Sequence, residues 1–127
     1  MEKYTILIAE DDPINQKVIK NYLNSSEFDL IFANNGSDAI EIIKNGKKID
    51  LVLMDLKMPE IDGFVAGGLI KKFLPEVPII VQSAYTEEIV RNRIDRKIFN
   101  EFITKPIDIK QLYKVLRKYL RTNVYNC

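Results

Sequence analysis

The stretch LVLMDLKMPEIDG, residues 51–63, carries an apolar run from Asp50 to Met54 up to a carboxylate, Asp55, and then to a helix-length pattern starting at Gly63. A short run rich in Val and Leu, followed by a helical segment, reads as a strand buried on both faces of a parallel sheet. Working outward, the same unit repeats. Further strands are expected at Tyr4–Ala9, Phe28–Ala33, Val77–Gln82 and Glu101–Thr104, and helices at Pro13–Ser25, Gly36–Asn45, Gly63–Leu74, Thr86–Arg96 and Asp108–Arg121. Asp12 is suited to cap the first helix and Pro13 to open it, with Ile14, Val18, Ile19 and Leu23 along one side. The last helix has an apolar stripe of Ile109, Leu112, Tyr113, Leu116 and Leu120, and a basic one of Lys110, Lys114, Arg117, Lys118 and Arg121. Strict β-α alternation with right-handed crossovers predicts an α/β, doubly wound, five-stranded parallel sheet with five helices. Gly67-Gly68 is the local conflict, since each glycine costs about 1 kcal/mol against Ala inside a helix; fraying or close packing is expected there.

The composition bounds the chemistry. The 127 residues include 19 Lys plus Arg, 18 Asp plus Glu, one Cys and no His. Without an imidazole, Ser-His-Asp triads and histidine metal sites are excluded. Cys127 excludes an internal disulfide and a cysteine zinc cluster, and points to a reducing cytoplasm. The opening residues lack a signal-peptide pattern and no stretch nears the ~20 apolar residues of a membrane span. One soluble domain, residues 1–127, is expected. Its near-neutral charge is unevenly spread: residues 1–63 carry 12 acids and 7 bases, residues 64–127 carry 6 acids and 12 bases. The charges are dispersed among apolar residues, so no nucleic-acid partner is expected.

Ligands of such sheets bind at the carboxyl ends of the strands. There the chain supplies Glu10, Asp11 and Asp12, then Asp55, Ser83 with Ala84, and Lys105-Pro106. Carboxylates gathered in one place repel unless a proton or cation compensates, and a hard divalent ion such as Mg²⁺, with Mn²⁺ as a substitute, suits oxygen ligands. The competing reading makes Asp12 a helix cap, Glu10 and Asp11 solvated loop acids, Lys105 a surface ion pair and Ser83 a strand-end cap. Taken together, acids, a metal, a hydroxyl and an ammonium suit phosphoryl transfer to a carboxylate, with Asp55 as the candidate acceptor.

Four motifs in order, ILIAEDDPINQKVI, LVLMDLKMPEIDG, IIVQSA and FITKPID, span the chain. With them the sequence resembles the receiver domain of two-component response regulators, in the style found in hybrid sensor kinases. The resemblance implies a flavodoxin-like strand order of 2-1-3-4-5. It implies Mg²⁺ ligands in Glu10, Asp11, Asp55 and the backbone carbonyl of Lys57, phosphorylation at Asp55, and phosphoryl contacts from Ser83 and Lys105. It implies a cis peptide before Pro106 and a switch in which Ser83 and Phe102 move. Lys57 and Tyr85 fall where phosphate lifetime is tuned. The implied donor is a phosphohistidine on a histidine kinase or phosphotransfer protein, docking near Ile14; output passes to a downstream protein through the fourth helix, fifth strand and fifth helix. No enzymatic activity on a separate substrate is implied, and the receiver either stands alone or belongs to a larger hybrid kinase. Two departures stand out: Phe102 lacks the hydroxyl of the commoner tyrosine, and DRKIFNEF replaces the usual Ala-Gly loop, so the fourth helix is expected to end differently and move more.

Other readings remain. An aspartyl-nucleophile phosphatase would place an acid two residues after Asp55, where this chain has Lys57. A flavin carrier would offer glycines and hydroxyls after its first strand, where this chain has acids. A non-phosphorylated docking module of the same fold is a third reading, a role that does not require Asp11, Asp55, Ser83 and Lys105 together.

Overall fold

The computed structural model describes residues 3–59, 61–85 and 87–120. Along them strands and helices alternate: β1 (Tyr4–Ala9), α1 (Pro13–Tyr22), β2 (Phe28–Ala33), α2 (Gly36–Lys44), β3 (Leu51–Asp55), α3 (Gly63–Phe73), β4 (Ile79–Ser83), α4 (Glu87–Arg93), β5 (Glu101–Thr104) and α5 (Ile109–Tyr119). The strands are parallel and lie in the order β2-β1-β3-β4-β5. This is the flavodoxin-like order, and the expected doubly wound α/β fold is present. Thr86, Arg121 and Cys127 lie outside the described residues.

Alternation along the central strands divides the core in two. Ile6, Ile8, Leu51, Leu53, Ile80 and Ile103 pack with Ile19 of α1 and Leu112, Val115 and Leu116 of α5. Leu7, Ala9, Val52, Met54, Ile79 and Val81 pack instead with Ala39 and Ile43 of α2, Ala66 and Ile70 of α3 and Val90 of α4. Among the described residues no helix is long and apolar enough to cross a membrane.

Element ends differ from the sequence reading for local reasons. β3 starts at Leu51 because the Asp50 carboxylate turns back to accept the Thr5 N–H at 2.8 Å, and the strand runs on to include Asp55. β4 starts at Ile79, after Pro78, which has no N–H to give, and it takes in Ser83. α1 ends three residues early, where the Leu23 N–H closes on the Ile19 carbonyl. α4 ends at Arg93, not Arg96: Asp95 starts a new turn, its carboxylate accepting the Lys97 N–H at 2.9 Å and its carbonyl the N–H groups of Ile98 and Phe99. α2 and α3 each stop one residue short, at Lys44 and Phe73. Two stripe assignments also change. Ile14 is 75% exposed and stands off the buried side of α1, while Val115 joins the buried side of α5.

The two adjacent glycines of α3 prove unequal. A Cβ on Gly67 would lie 2.5 Å from the Phe99 ring, which is buried and stacks edge-on against Phe64. On Gly68 the nearest atom is Ile98 Cδ1 at 3.7 Å, an ordinary contact. Gly67→Ala is therefore expected to destabilise by about 2 kcal/mol through overpacking, while Gly68→Ala gains up to about 1 kcal/mol from helix propensity. Urea melts of the two variants check this, and equal responses would contradict it. The same contact region ties α4 to α3, because the Arg93 guanidinium sits over the Phe64 ring, 3.9 Å from its centroid, and pairs with Asp62 at 3.8 Å.

Candidate functional site

Strand register builds the site. Ala9 of β1 pairs with Met54 of β3, so the next residue, Glu10, falls beside Asp55, which in turn pairs with Gln82 of β4. Glu10, Asp55 and Gln82 thus form a row at the carboxyl edge, on the side covered by α1 and α5, and all three are buried. Asp11 stands exposed at the rim. Carboxylate oxygens of Glu10, Asp11 and Asp55 lie within 4.8 Å of one another. Into this cluster Lys105, just past β5, extends its ammonium, with Nζ 2.6 Å from Asp55 Oδ2 and 2.7 Å from Glu10 Oε1. The Lys105 N–H donates to the Ser83 carbonyl at 2.9 Å, and the Lys105–Pro106 peptide is cis.

The surroundings complete the geometry. The Lys57 N–H donates to Asp55 Oδ1 at 3.0 Å, closing the loop after β3 over the carboxylate. Ser83 is fully buried and its Oγ accepts the Tyr85 N–H at 3.0 Å. Asp55, Lys57, Ala84, Tyr85 and Lys105 line an open cleft of about 190 Å³. Phe102 pairs with Val81, two residues before Ser83, and lines a separate cavity of about 210 Å³ with Val90, Ile94 and Phe99, between α4 and β5. Asp12 caps α1, its Oδ1 accepting the Ile14 N–H at 3.0 Å. Ile14 is at the exposed start of that helix, away from the buried row. Part of the basic stripe on α5 is neutralised within the chain, since Lys118 pairs with Glu101 of β5 at 2.7 Å.

Electrostatics sets these groups apart. Burial pushes the Asp55 carboxyl above the ordinary range, Glu10 adding to the rise and Lys105 and the Lys57 N–H opposing it. For Glu10 burial also pushes upward, yet the bonds from Lys105, the Asp12 N–H and Asn15 together carry it below the ordinary value. Lys105 is held above its usual range by the two carboxylates despite its own burial. Three carboxyl groups facing one ammonium leave a negative excess, and every acidic donor is a hard oxygen. The set fits Mg²⁺.

Sequence reasoning missed three carboxamides. Asn15 Nδ2 donates to Glu10 Oε1 and also to Gln82 Oε1, the latter at 3.0 Å. Gln16 Nε2 donates to the Glu10 carbonyl and to Asn34 Oδ1 at 3.0 Å. The available signal was Gln82 itself, a polar residue directly after the apolar run Ile79–Val81 in β4. Its Nε2 is buried without a hydrogen-bond partner among the described residues, a situation that costs roughly 1–3 kcal/mol.

This edge, with its acids, lysine and buried hydroxyl on a 2-1-3-4-5 sheet, defines a class. The chain belongs to the response regulator receiver domain family, whose model matches residues 6–117. It is 34% identical over 119 residues to the autoinducer 1 sensor kinase/phosphatase LuxN of Vibrio campbellii, covering 94% of this chain and 14% of that protein. It thus spans about a seventh of that relative's length. Among solved structures, the receiver domain of a Pseudomonas aeruginosa sensor histidine kinase, with magnesium coordinated in its active-site cleft, aligns with a TM-score of 0.84 at 27% identity, covering 95% of this chain and all of that one. A Saccharomyces cerevisiae receiver domain bound to a histidine phosphotransfer protein aligns with a TM-score of 0.81 at 26% identity, covering 92% and 88% of the two chains.

Proposed function

We propose that residues 1–127 act as one phospho-accepting receiver unit, in which Asp55 takes a phosphoryl group from a phosphohistidine. An Asp55 oxygen forms the new O–P bond as the donor's P–N bond breaks, and the departing imidazole takes a proton from solvent. The observation that carries this reading is the Lys105 ammonium bridging Asp55 and Glu10 beside Asp11. Glu10, Asp11, Asp55 and the Lys57 carbonyl would hold Mg²⁺, or Mn²⁺ in its place; the ion, when bound, neutralises charge on the phosphoryl oxygens. Lys105 then contacts the phosphoryl group, and the Ser83 hydroxyl leaves the Tyr85 N–H to donate to it. Phe102 turns inward as Ser83 moves, and the surface of α4, β5 and α5 changes its affinity for a downstream protein. The exposed Ile14 is offered to a histidine kinase or phosphotransfer donor. The chain acts as a signalling module in the cytoplasm and turns over only its own phosphoryl group.

Incubation with acetyl phosphate and Mg²⁺ is expected to yield a base-labile, hydroxylamine-cleaved phosphoryl adduct on Asp55, located by mass spectrometry. No adduct from acetyl phosphate or from any phosphohistidine protein would leave a docking module of the same fold. Profiling against the source organism's kinases identifies the donor. Tyr85 lines the cleft beside Asp55, and in this reading its ring shields an Asp55 phosphoryl group from water. Tyr85→Ala is accordingly expected to shorten the phosphoryl lifetime several-fold, measured by loss of label after donor removal; equal decay rates would remove Tyr85 from this role.

A further inference from the structure

We propose that Asn15 and Gln82 are positioning residues for Glu10, and that this pair of carboxamides tunes the divalent-cation affinity of the site. The inference rests on the receiver reading above and adds a determinant outside its acids, hydroxyl and lysine.

Gln82 is fully buried, third in the row after Glu10 and Asp55, on the side where its strand neighbours Ile80 and Ile103 belong to the apolar core. A leucine would suit that place by polarity, and the Gln82 Nε2 finds no acceptor among the described residues. Reversing the amide does not help, because Nε2 would then face another donor, Asn15 Nδ2. The orientation is therefore fixed by the bond that Gln82 Oε1 accepts from Asn15 at 3.0 Å.

That bond has a directional consequence. Asn15 Nδ2 carries two hydrogens held in the amide plane, so anchoring one on Gln82 aims the other at Glu10 Oε1, where it donates. The other carboxylate oxygen, Oε2, accepts the Asp12 N–H at 3.1 Å. Glu10 is thus gripped at both oxygens by the start of α1. Oε1 is also the atom that Lys105 occupies at 2.7 Å. A divalent ion drawing on Glu10 competes with that ammonium, and the Asn15 bond keeps Oε1 in place during the exchange. Gln82 touches no cation; it acts through Asn15.

The test uses the whole chain, and Mg²⁺ itself is the probe. Mg²⁺ titration followed by calorimetry, without any phosphoryl donor, gives the affinity, and melting of the metal-free protein gives stability. Gln82→Leu removes the orphaned amide, so it is expected to leave the metal-free Tm unchanged or raised while weakening Mg²⁺ binding about 10-fold. Gln82→Met serves equally if the leucine variant folds poorly. Asn15→Ala is expected to weaken binding at least as much, and the double variant no further than Asn15→Ala alone, because the two residues act in series. Wild-type Mg²⁺ affinity in Gln82→Leu, additive losses in the double variant, or a lowered Tm accompanying every loss of affinity would overturn the inference and leave the receiver reading standing. A wild-type chain that binds no Mg²⁺ would overturn both.

Discussion

Asp55→Asn is expected to abolish phosphoryl uptake, a loss of about 100-fold or more in labelling by acetyl phosphate, because the substituted amide is no nucleophile. The same variant is expected to melt at a higher temperature near neutral pH. Burial and the neighbouring Glu10 hold the Asp55 carboxyl above its ordinary range, Lys105 and the Lys57 N–H only partly offsetting them. A group whose folded pKa is raised carries its charge at a disadvantage in the folded state, so the ionised form destabilises the fold at pH above the folded value. That disadvantage fades as pH falls through the folded value toward the ordinary aspartate range, where both states are protonated. The stability gained by Asp55→Asn should shrink over the same window. The amide keeps an oxygen to accept from Lys105 Nζ, now 2.6 Å from Asp55 Oδ2. Phosphate incorporation by mass spectrometry and melting curves across pH 3 to about 8 check both halves. Retained labelling points to another acceptor, and a lowered Tm at neutral pH would mean that the ion pair with Lys105 outweighs the burial of Asp55.

Gly63→Ala is expected to be the most destabilising single methyl addition near the site. A Cβ there would lie 2.5 Å from the Asp55 carbonyl oxygen and from Leu56 Cα, and 2.9 Å from the Leu56 carbonyl oxygen. These neighbours are backbone and have no rotamer to escape into. The Gly63 N–H also donates to the Leu56 carbonyl at 2.9 Å, so the start of α3 cannot slide away without breaking the closure of the loop. A loss of about 3 kcal/mol, seen as a drop in Tm of roughly 10 °C, is the expected result. Since the methyl pushes on the peptide that carries Asp55, Mg²⁺ affinity should fall with it. A wild-type Tm would show that the Asp55–Leu56 backbone yields more readily than its position in β3 implies.

The legible parts of this molecule were those decided by chain-local patterns. Leu51–Met54 and Ile79–Val81 are apolar on both faces, which marks a central parallel strand without reference to any partner. Glu10, Asp55, Ser83 and Lys105 were found because each follows or ends such a run, and the carboxyl edge of a parallel sheet gathers whatever stands there. What stayed hidden depends on meetings across the fold. Asn15 and Gln82 are uncharged, common in loops and 67 positions apart; their bond exists only because the fold brings the start of α1 to the end of β4. Ile14 fits a helical apolar stripe by spacing, yet the cap at Asp12 sets a helix phase that turns it outward. The early end of α4 follows from a single turn at Asp95, below the resolution of periodicity. Gly67 and Gly68 are identical as letters and differ only in whether Phe99 lies above them.

Lys105 reaches back 50 positions to Asp55, and the acids it joins come from the ends of β1 and β3. During translation, Glu10, Asp11 and Asp55 emerge from the ribosome well before their counter-charge does. A nascent chain halted before β5 holds three mutually repelling acids and lacks the ammonium that bridges two of them. Competence to accept phosphate is therefore expected only once Lys105 has emerged, and acetyl phosphate labelling of stalled chains of increasing length would time the closing of the sheet.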